Sequence, residues 1–503
     1  MTISASEFLD AVLDPGSYRS WDRAPIDVAA SESYRTELAA AADRSGTDES
    51  VLTGEGMLRG RRIAVIACEF GFLAGSIGVA AAERIVAAVE RATASGVPLL
   101  ASPTSGGTRM QEGTLAFVQM VKIAGAVAEH KSAGLPYLVY LRDPTMGGVF
   151  ASWGSLGHMT FAEPGALIGF LGPRVYAALY GERFPDGVQT AENLYRNGVI
   201  DGVVPLGIFR RIAHRVLNVT VSPPRGDLSA PMPESGSPGA DTAAGVDYPA
   251  WDSVLLSRSP FRPGIRQLLR QATDRVPLSG TGQGESDRTV VLALARLRGR
   301  PCVILGHDRA SRSEDNGMGP AALREARRSM RLAAELRLPL VLIIDTAGAA
   351  LSRSAEERGL APEIARCLAD LVTLDTPTVS VLLGQGSGGG ALALLPADRV
   401  LAARHGWLAP LPPEGASAIV FRDTEHCARI AAAQRIRAAD LLADGVVDRI
   451  VPEFPDAASE PVDFSRRMVA AIAEELRGLC ARPVDDLRTR RRHRYRRLGL
   501  PNA

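Results

Sequence analysis

The feature that most constrains this chain is an internal repeat. In the first half, an apolar run ends in a glycine turn at "GVPLLASPTSGG" (96–107), a second does so at "LPYLVYLRDPTMGG" (135–148), and "GVIDGVVP" (198–205) closes the unit. The second half repeats the order with "LPLVLIIDTAG" (338–348), "TPTVSVLLGQGSGGG" (376–390) and "GVVDRIVP" (445–452). Gly107 and Gly348 are 241 residues apart, Gly148 and Gly390 are 242 apart, and Pro205 and Pro452 are 247 apart. A period this regular means that one folding unit occurs twice. Each glycine landmark joins a short β-forming apolar run to a helix-forming segment such as "MQEGTLAFVQMVKIAGAVAEH" (110–130). That is the β-turn-α unit of parallel sheets buried on both faces.

At 503 residues the chain is long enough for several domains, and 46% hydrophobic with 22% charged residues is a globular balance. A net charge of +1 gives no overall field for nucleic acid or an acidic membrane surface. Only Lys122 and Lys131 are lysines among 57 basic residues, so Schiff-base catalysis has two candidates, neither with an activating neighbour in the sequence. The five cysteines never approach a C-x-x-C spacing, which argues against a zinc site or disulfide framework and for a reduced setting. There is no leader pattern and no apolar run of about 18 residues, so a soluble cytoplasmic protein is expected. Residues 1–52 read as a polar peripheral arm, 53–220 as the first domain, 221–250 as a Pro/Gly/Ser-rich linker and 251–503 as the second domain. The arginine run "LRTRRRHRYRRLG" (487–499) reads as a solvated terminal helix or a strip packed on an acidic partner. No aromatic stacking platform accompanies it, which argues against RNA.

The first turn of a helix leaves N–H groups without partners, and the helix dipole makes that end favour negative charge. Glycine there lets a ligand approach the backbone, so two such turns per half are hardware for holding an oxyanion. The nucleophilic alternative is weak. No G-x-S-x-G occurs, and Ser387 within "GSGGG" (386–390) reads as a turn residue. None of the histidines, among them His130, His307 and His405, sits in a recognisable catalytic pattern. No phosphate-binding G-x-x-x-x-G-K-[ST] is present. What remains is catalysis by backbone electrostatics, which suits a thioester enolate whose reaction partner carries its own base.

In motif order the chain resembles the carboxyltransferase of acetyl-CoA carboxylase, with beta and alpha subunits fused. The first half resembles the beta subunit through "EFGFLAGSIG" (69–78), "SGGTRMQEG" (105–113), "DPTMGGVFAS" (143–152) and "AEPGALIGFLGPRV" (162–175). The second resembles the alpha subunit through "ARLRGRPCVILGH" (295–307), "IDTAGA" (344–349), "AEERG" (355–359), "GQGSGGGALAL" (384–394) and "PPEGASAI" (412–419).

The resemblance implies an α/β chain of two tandem crotonase-like domains of the ClpP/crotonase superfamily. It implies transfer of a carboxyl group from carboxybiotin to acetyl-CoA, giving malonyl-CoA for fatty-acid synthesis. In such enzymes CO2 leaves carboxybiotin, the biotin anion takes the thioester α-proton, and the enolate attacks CO2. By position, Gly106 and Gly107 would serve the enolate with Gly147 and Gly148. Gly389, Gly390 and Ala391 would serve the biotin oxygen, with Ala347, Gly348 and Gly388 beside it. Ser76, Gly78, Arg109 and Arg174 are the candidates for contacts with CoA. The implied partners are a biotin carboxyl carrier protein, a biotin carboxylase and a second copy of the chain, with active sites at the interface of a homodimer.

The chain departs from the family pattern in three places. The beta subunit's four-cysteine zinc ribbon is missing, so no metal is expected. Position 347 is alanine where the alpha pattern has proline, and Gln385 stands where it has glutamate. These changes keep alternatives open: a non-catalytic assembly subunit, a carboxyltransferase for a longer acyl-CoA, or another crotonase-type enzyme. The last would require an acidic pair at the enolate turn, where only Glu112 is near in sequence, and Glu112 more simply favours a helix N-terminus.

Overall fold

Where the sequence has runs of Val, Ile and Leu, the computed structural model has strands; it describes residues 3–28, 31–221, 248–311 and 317–500. The described residues up to Val221, with Gly282–Glu285, form one compact unit, and the other described residues from Tyr248 onward form a second. The first contains β1 (Arg19–Ser20), β2 (Val51–Leu58), β3 (Arg61–Cys68), β4 (Leu99–Ser102), β5 (Tyr137–Leu141), β6 (Thr145–Met146), β7 (Met159–Ala162), β8 (Ile168–Gly169) and β9 (Gly202–Val203). Its sheet runs β1-β2-β3-β4-β5-β7-β9, antiparallel among the first three strands and parallel thereafter, while β6 and β8 form a short parallel pair.

The second unit has the same plan. Strands β10 (Asp274–Leu278), β11 (Val290–Leu297), β12 (Arg300–His307), β13 (Leu340–Thr346), β14 (Thr378–Gly386), β15 (Arg399–Ala403) and β16 (Arg449–Val451) lie in sequence order, with the same switch from antiparallel to parallel after the third. Leu99 pairs with Tyr137 in one sheet and Leu340 with Thr378 in the other, so both partners are displaced by 241 residues. The hairpins before them repeat too. Arg59 and Gly60 turn β2 into β3 at φ 49° and 78°, and Arg298 and Gly299 turn β11 into β12 at φ 45° and 79°. Positive φ at both central residues is the two-residue turn whose twist matches the strands it joins.

Central strands are buried and mostly apolar because helices cover both faces, with β4 and β13 polar only toward their C-terminal ends, at Ser102, Asp345 and Thr346. All five residues of β5 and all seven of β13 are buried. The helices Val79–Ala94 and Pro320–Glu335 pack their alanine- and leucine-rich stripes on the sheets.

Two expectations need correction. Residues 1–52 are no peripheral arm. The helix Ala5–Val12 buries Ala5, Phe8, Leu9 and Val12, the Ala5 N–H donates to Glu69 Oε2 at 2.7 Å, and the Arg142 guanidinium lies over the Phe8 ring. Eight residues are too few for their periodicity to stand out in a polar context. Nor is the arginine run merely a solvated strip, because the helix Val484–Arg497 grips its own unit. Arg491, 1% exposed, pairs with Asp398 at 2.8 Å and donates to the carbonyls of Leu371, Leu374 and Thr376. Arg494 binds Asp448 and the Val446 carbonyl. Most of the proposed linker, 222–247, lies outside the described residues. Among the described residues no helix is long and apolar enough to cross a membrane.

Candidate active site

In each unit the C-terminal end of the second parallel strand runs into a glycine turn that folds back beside an earlier loop. After β4, Gly107 has φ 117°, its carbonyl accepts from the Ile77 N–H at 3.0 Å, and the Arg109 N–H donates to the Ile77 carbonyl at 3.0 Å. After β13, Gly348 has φ 148°, its carbonyl accepts from the Met318 N–H at 3.1 Å, and the Ala350 N–H donates to the Met318 carbonyl at 3.0 Å. The Gly107 N–H donates to Ser105 Oγ at 3.0 Å and that of Gly348 to Thr346 Oγ1 at 3.1 Å. Every pair here is displaced by 241 residues, so the turns are built alike atom for atom.

The second turn in each unit opens a very short helix, Gly147–Phe150 or Gly388–Leu392, and the first glycine takes positive φ, 63° at Gly147 and 60° at Gly388. The turns touch. A Cβ on Gly147 would lie 3.5 Å from the Gly107 Cα, and one on Gly390 would lie 3.1 Å from the Gly348 carbonyl carbon. Behind Gly148 stand Met120 and Thr108, each 3.3 Å from where a Cβ would sit, and behind Gly389 stands Ile364 at 2.7 Å. Positive φ at Gly107, Gly147, Gly348 and Gly388 and close neighbours at Gly148, Gly389 and Gly390 disfavour side chains here, which leaves a surface made of backbone.

The donor assignments sharpen as a result. The Gly106 N–H is spent on the Ala74 carbonyl at 2.8 Å, so Gly106 is a structural member of the turn and offers no donor to a ligand. Gly388 and Ala391 likewise spend theirs, on the Ala409 carbonyl at 2.9 Å and the Ser387 carbonyl at 3.4 Å. In first turns the helix itself supplies no acceptor for Gly148, Gly389 and Gly390. At the N-cap Ser387 makes no side-chain capping bond, and its buried hydroxyl has no hydrogen-bond partner. Ala347 is exposed beside Gly348, at a cavity of about 210 Å³ lined by His307, Arg309, Asp345, Thr346 and Gln385. Burial pushes the His307 imidazole down to about 4, and its Nδ1 faces the Asp345 N–H at 3.2 Å.

The CoA candidates fare differently. Arg109 is 1% exposed, with both terminal nitrogens on Glu49, at 2.5 and 3.0 Å, and further bonds to Ser50 and the Ser76 carbonyl. Burial opposes its charge, but the Glu49 carboxylate outweighs that and holds its pKa above the ordinary arginine value. Arg109 is therefore an internal strut and no ligand contact. Ser76 accepts from it, and Gly78 leaves room for Glu112, whose Oε1 would lie 2.3 Å from a Cβ there. Glu112 takes the Val79 N–H at 2.6 Å, so it caps the helix Val79–Ala94. Arg174 stands in the helix Pro173–Tyr180, but its side chain lies outside the described residues.

Among the described residues no three His, Cys, Asp or Glu side chains are grouped to hold a metal ion. Backbone donors that the short helices leave without an acceptor, at paired glycine turns, equip the site to stabilise oxyanions.

Comparison with known proteins identifies the family. The carboxyl transferase domain family matches residues 4–488, and the chain belongs to it; it is a transferase. A Mycobacterium tuberculosis protein, "Probable biotin-dependent acyl-coenzyme A carboxylase beta3 subunit", is 65% identical over 500 residues, 99% of each chain. The acetyl-coenzyme A carboxylase carboxyl transferase subunits beta/alpha of Salinispora arenicola are 39% identical over 99% of this chain and 91% of theirs. In fold the chain is similar to the transcarboxylase 12S crystal structure, with a TM-score of 0.75 at 20% identity over 96% of this chain and 90% of that one.

Proposed function

We propose that the chain is the carboxyltransferase component of a biotin-dependent acyl-CoA carboxylase, with beta-like and alpha-like halves in one polypeptide. The observation that carries the reading is the duplicated pair of touching glycine turns, because the reaction develops two oxyanions, one on the thioester and one on the biotin ureido group. In the first unit the Gly148 N–H, with Gly107 facing it, shelters the thioester oxygen. In the second, Gly389 and Gly390, with Gly348 facing them, hold the biotin oxygen. Carboxybiotin, carried by a separate protein, supplies the carboxyl group and a basic nitrogen once that group has left. The chain itself orients both carbonyls and stabilises charge through N–H dipoles that need no reorganisation. Acetyl-CoA is the proposed acceptor and malonyl-CoA the product, with a longer acyl-CoA as the competing reading.

A carrier protein, a biotin carboxylase and a second copy of the chain are the proposed partners. Leu115, Phe117 and Val121, 67%, 62% and 75% exposed on the helix Gly113–Ser132, support burial against another copy.

Decarboxylation of malonyl-CoA with free biotin tests the reading without a carrier. Turnover is expected, and Gly148→Pro, which removes one donor where the helix needs none, lowers kcat about 10²-fold or more. A folded protein inert toward malonyl-CoA and methylmalonyl-CoA favours the assembly-subunit alternative.

A further inference from the structure

The register of the two sheets slips at the same place. Ala101 pairs with Val139, and the next pairing is Ser105 with Thr145. Ile344 pairs with Leu382, and the next is Thr346 with Gly386. In both units the strand leading to the short glycine helix carries two more residues than its neighbour, a bulge that takes its backbone out of the ladder. Buried backbone groups thrown out of a ladder must find other partners.

The two units solve this with opposite chemistry. In the first unit the bulge contains Pro144, which has no N–H, and the facing residue is Thr104, whose hydroxyl donates to the carbonyls of Asp143 (3.0 Å) and Pro144 (3.2 Å). In the second, the residue 241 later than Pro144 is Gln385, which has an N–H to satisfy. The residue 241 later than Thr104 is Asp345, whose Oδ1 accepts that N–H at 3.0 Å. Donor facing carbonyls has become acceptor facing N–H. Asp345 Oδ2 takes Arg309 Nη1 at 2.6 Å, and Arg309 Nη2 donates to the carbonyls of Ser257 and Ser259, 3.0 Å each. The arginine balances a carboxylate that is 1% exposed. Gly384 is constrained by the same contact, since a Cβ there would lie 2.4 Å from Asp345 Oδ1.

We propose that Asp345 is a positioning residue. By fixing Gln385 it sets where the Gly389 and Gly390 N–H groups point relative to the Ala347–Gly348 turn, and Thr104 does the same for Gly148 relative to Gly107. The consequence for catalysis rests on the function proposed above, in which the second unit's turns hold the biotin oxygen. The tie itself is independent of it.

Two readouts on the full chain separate these levels. In Asp345→Ala, amide exchange followed by mass spectrometry speeds up in peptides covering 384–391 and stays unchanged over 143–150. In malonyl-CoA decarboxylation, its kcat/KM for free biotin falls about 10- to 100-fold, the scale of a small misplacement of reacting groups, with KM for malonyl-CoA unchanged. Asp345→Asn, which keeps an acceptor oxygen, recovers to within about fivefold of wild type by the same scale, and Thr104→Val moves the malonyl-CoA parameter instead. Unchanged exchange at 384–391, loosening spread equally over both turns, or equal changes in both substrates' parameters overturns the proposal. A wild-type protein without turnover overturns the functional reading alone, and the exchange pattern still decides the tie.

Discussion

The glycine turns are nearly identical in the two units, yet the material that supports them is not. Around the first, a buried network of Glu49, Arg109, Ser76 and Glu112 fills the space behind the loop and caps the helix Val79–Ala94. At the corresponding place in the second, the helix Pro320–Glu335 begins with proline, and a cavity of about 280 Å³ lies in front of it. The repeated part, to which the proposed function gives two oxyanions, is a surface of backbone and has kept its 241-residue spacing. The supporting part differs because any scaffold that holds the turns will serve.

Breaking the first unit's scaffold gives the largest expected effect on stability. Glu49→Ala strands the Arg109 charge in the interior and costs about 3–5 kcal/mol in urea unfolding. A loss below about 1 kcal/mol would mean that water, or Glu112, whose Oε1 already lies 3.8 Å from Arg109 Nη1, takes over the charge. Acid sharpens the comparison next, because burial pushes His130 in the first unit and His307 in the second down to about 4, and lowers His405 in the second as well. The folded values of His130 and His307 lie below the unfolded value, so the stability each contributes is fully present above about pH 6.5 and is lost as pH falls toward 4, up to about 3 kcal/mol per histidine. His307→Gln flattens that slope by about one proton in unfolding measured across the window, and an unchanged slope contradicts a neutral buried imidazole. The smallest effect is at the surface. Arg353 and Glu357 form an i,i+4 pair at 2.6 Å with side chains 89% and 60% exposed, and Arg353→Ala shifts unfolding by no more than about 0.5 kcal/mol.

Much of the repeated part was legible in the sequence, because glycine turns after apolar runs recur at a fixed spacing whatever surrounds them. The first turn at Gly107 and Gly348 falls on that spacing, while the second aligns as Gly147 with Gly388 at 241 residues, one residue off the Gly148–Gly390 match. Which N–H groups remain available was not legible, since Gly106 loses its donor to Ala74 through a loop that no periodicity marks. Arg109 looked like a ligand contact for the same reason: its partner Glu49 is 60 residues away. Asp345 and Gln385 stood in plain view within "IDTAGA" and "GQGSGGG", but a bulge is a property of strand register, and register emerges only when strands are paired.

The proposed function is a division of labour, in which the first unit's turn would bind the acyl-CoA and the second unit's turn would bind biotin. Calorimetric titration of malonyl-CoA into wild type, Gly148→Pro and Gly390→Val tests it most directly. In the second variant a side chain would lie 3.1 Å from the Gly348 carbonyl carbon and crowd the second unit's turn. The account predicts that Gly148→Pro weakens malonyl-CoA binding while Gly390→Val binds it as wild type does and fails only in turnover with biotin. Equal weakening in both variants, or weakening confined to Gly390→Val, would contradict it.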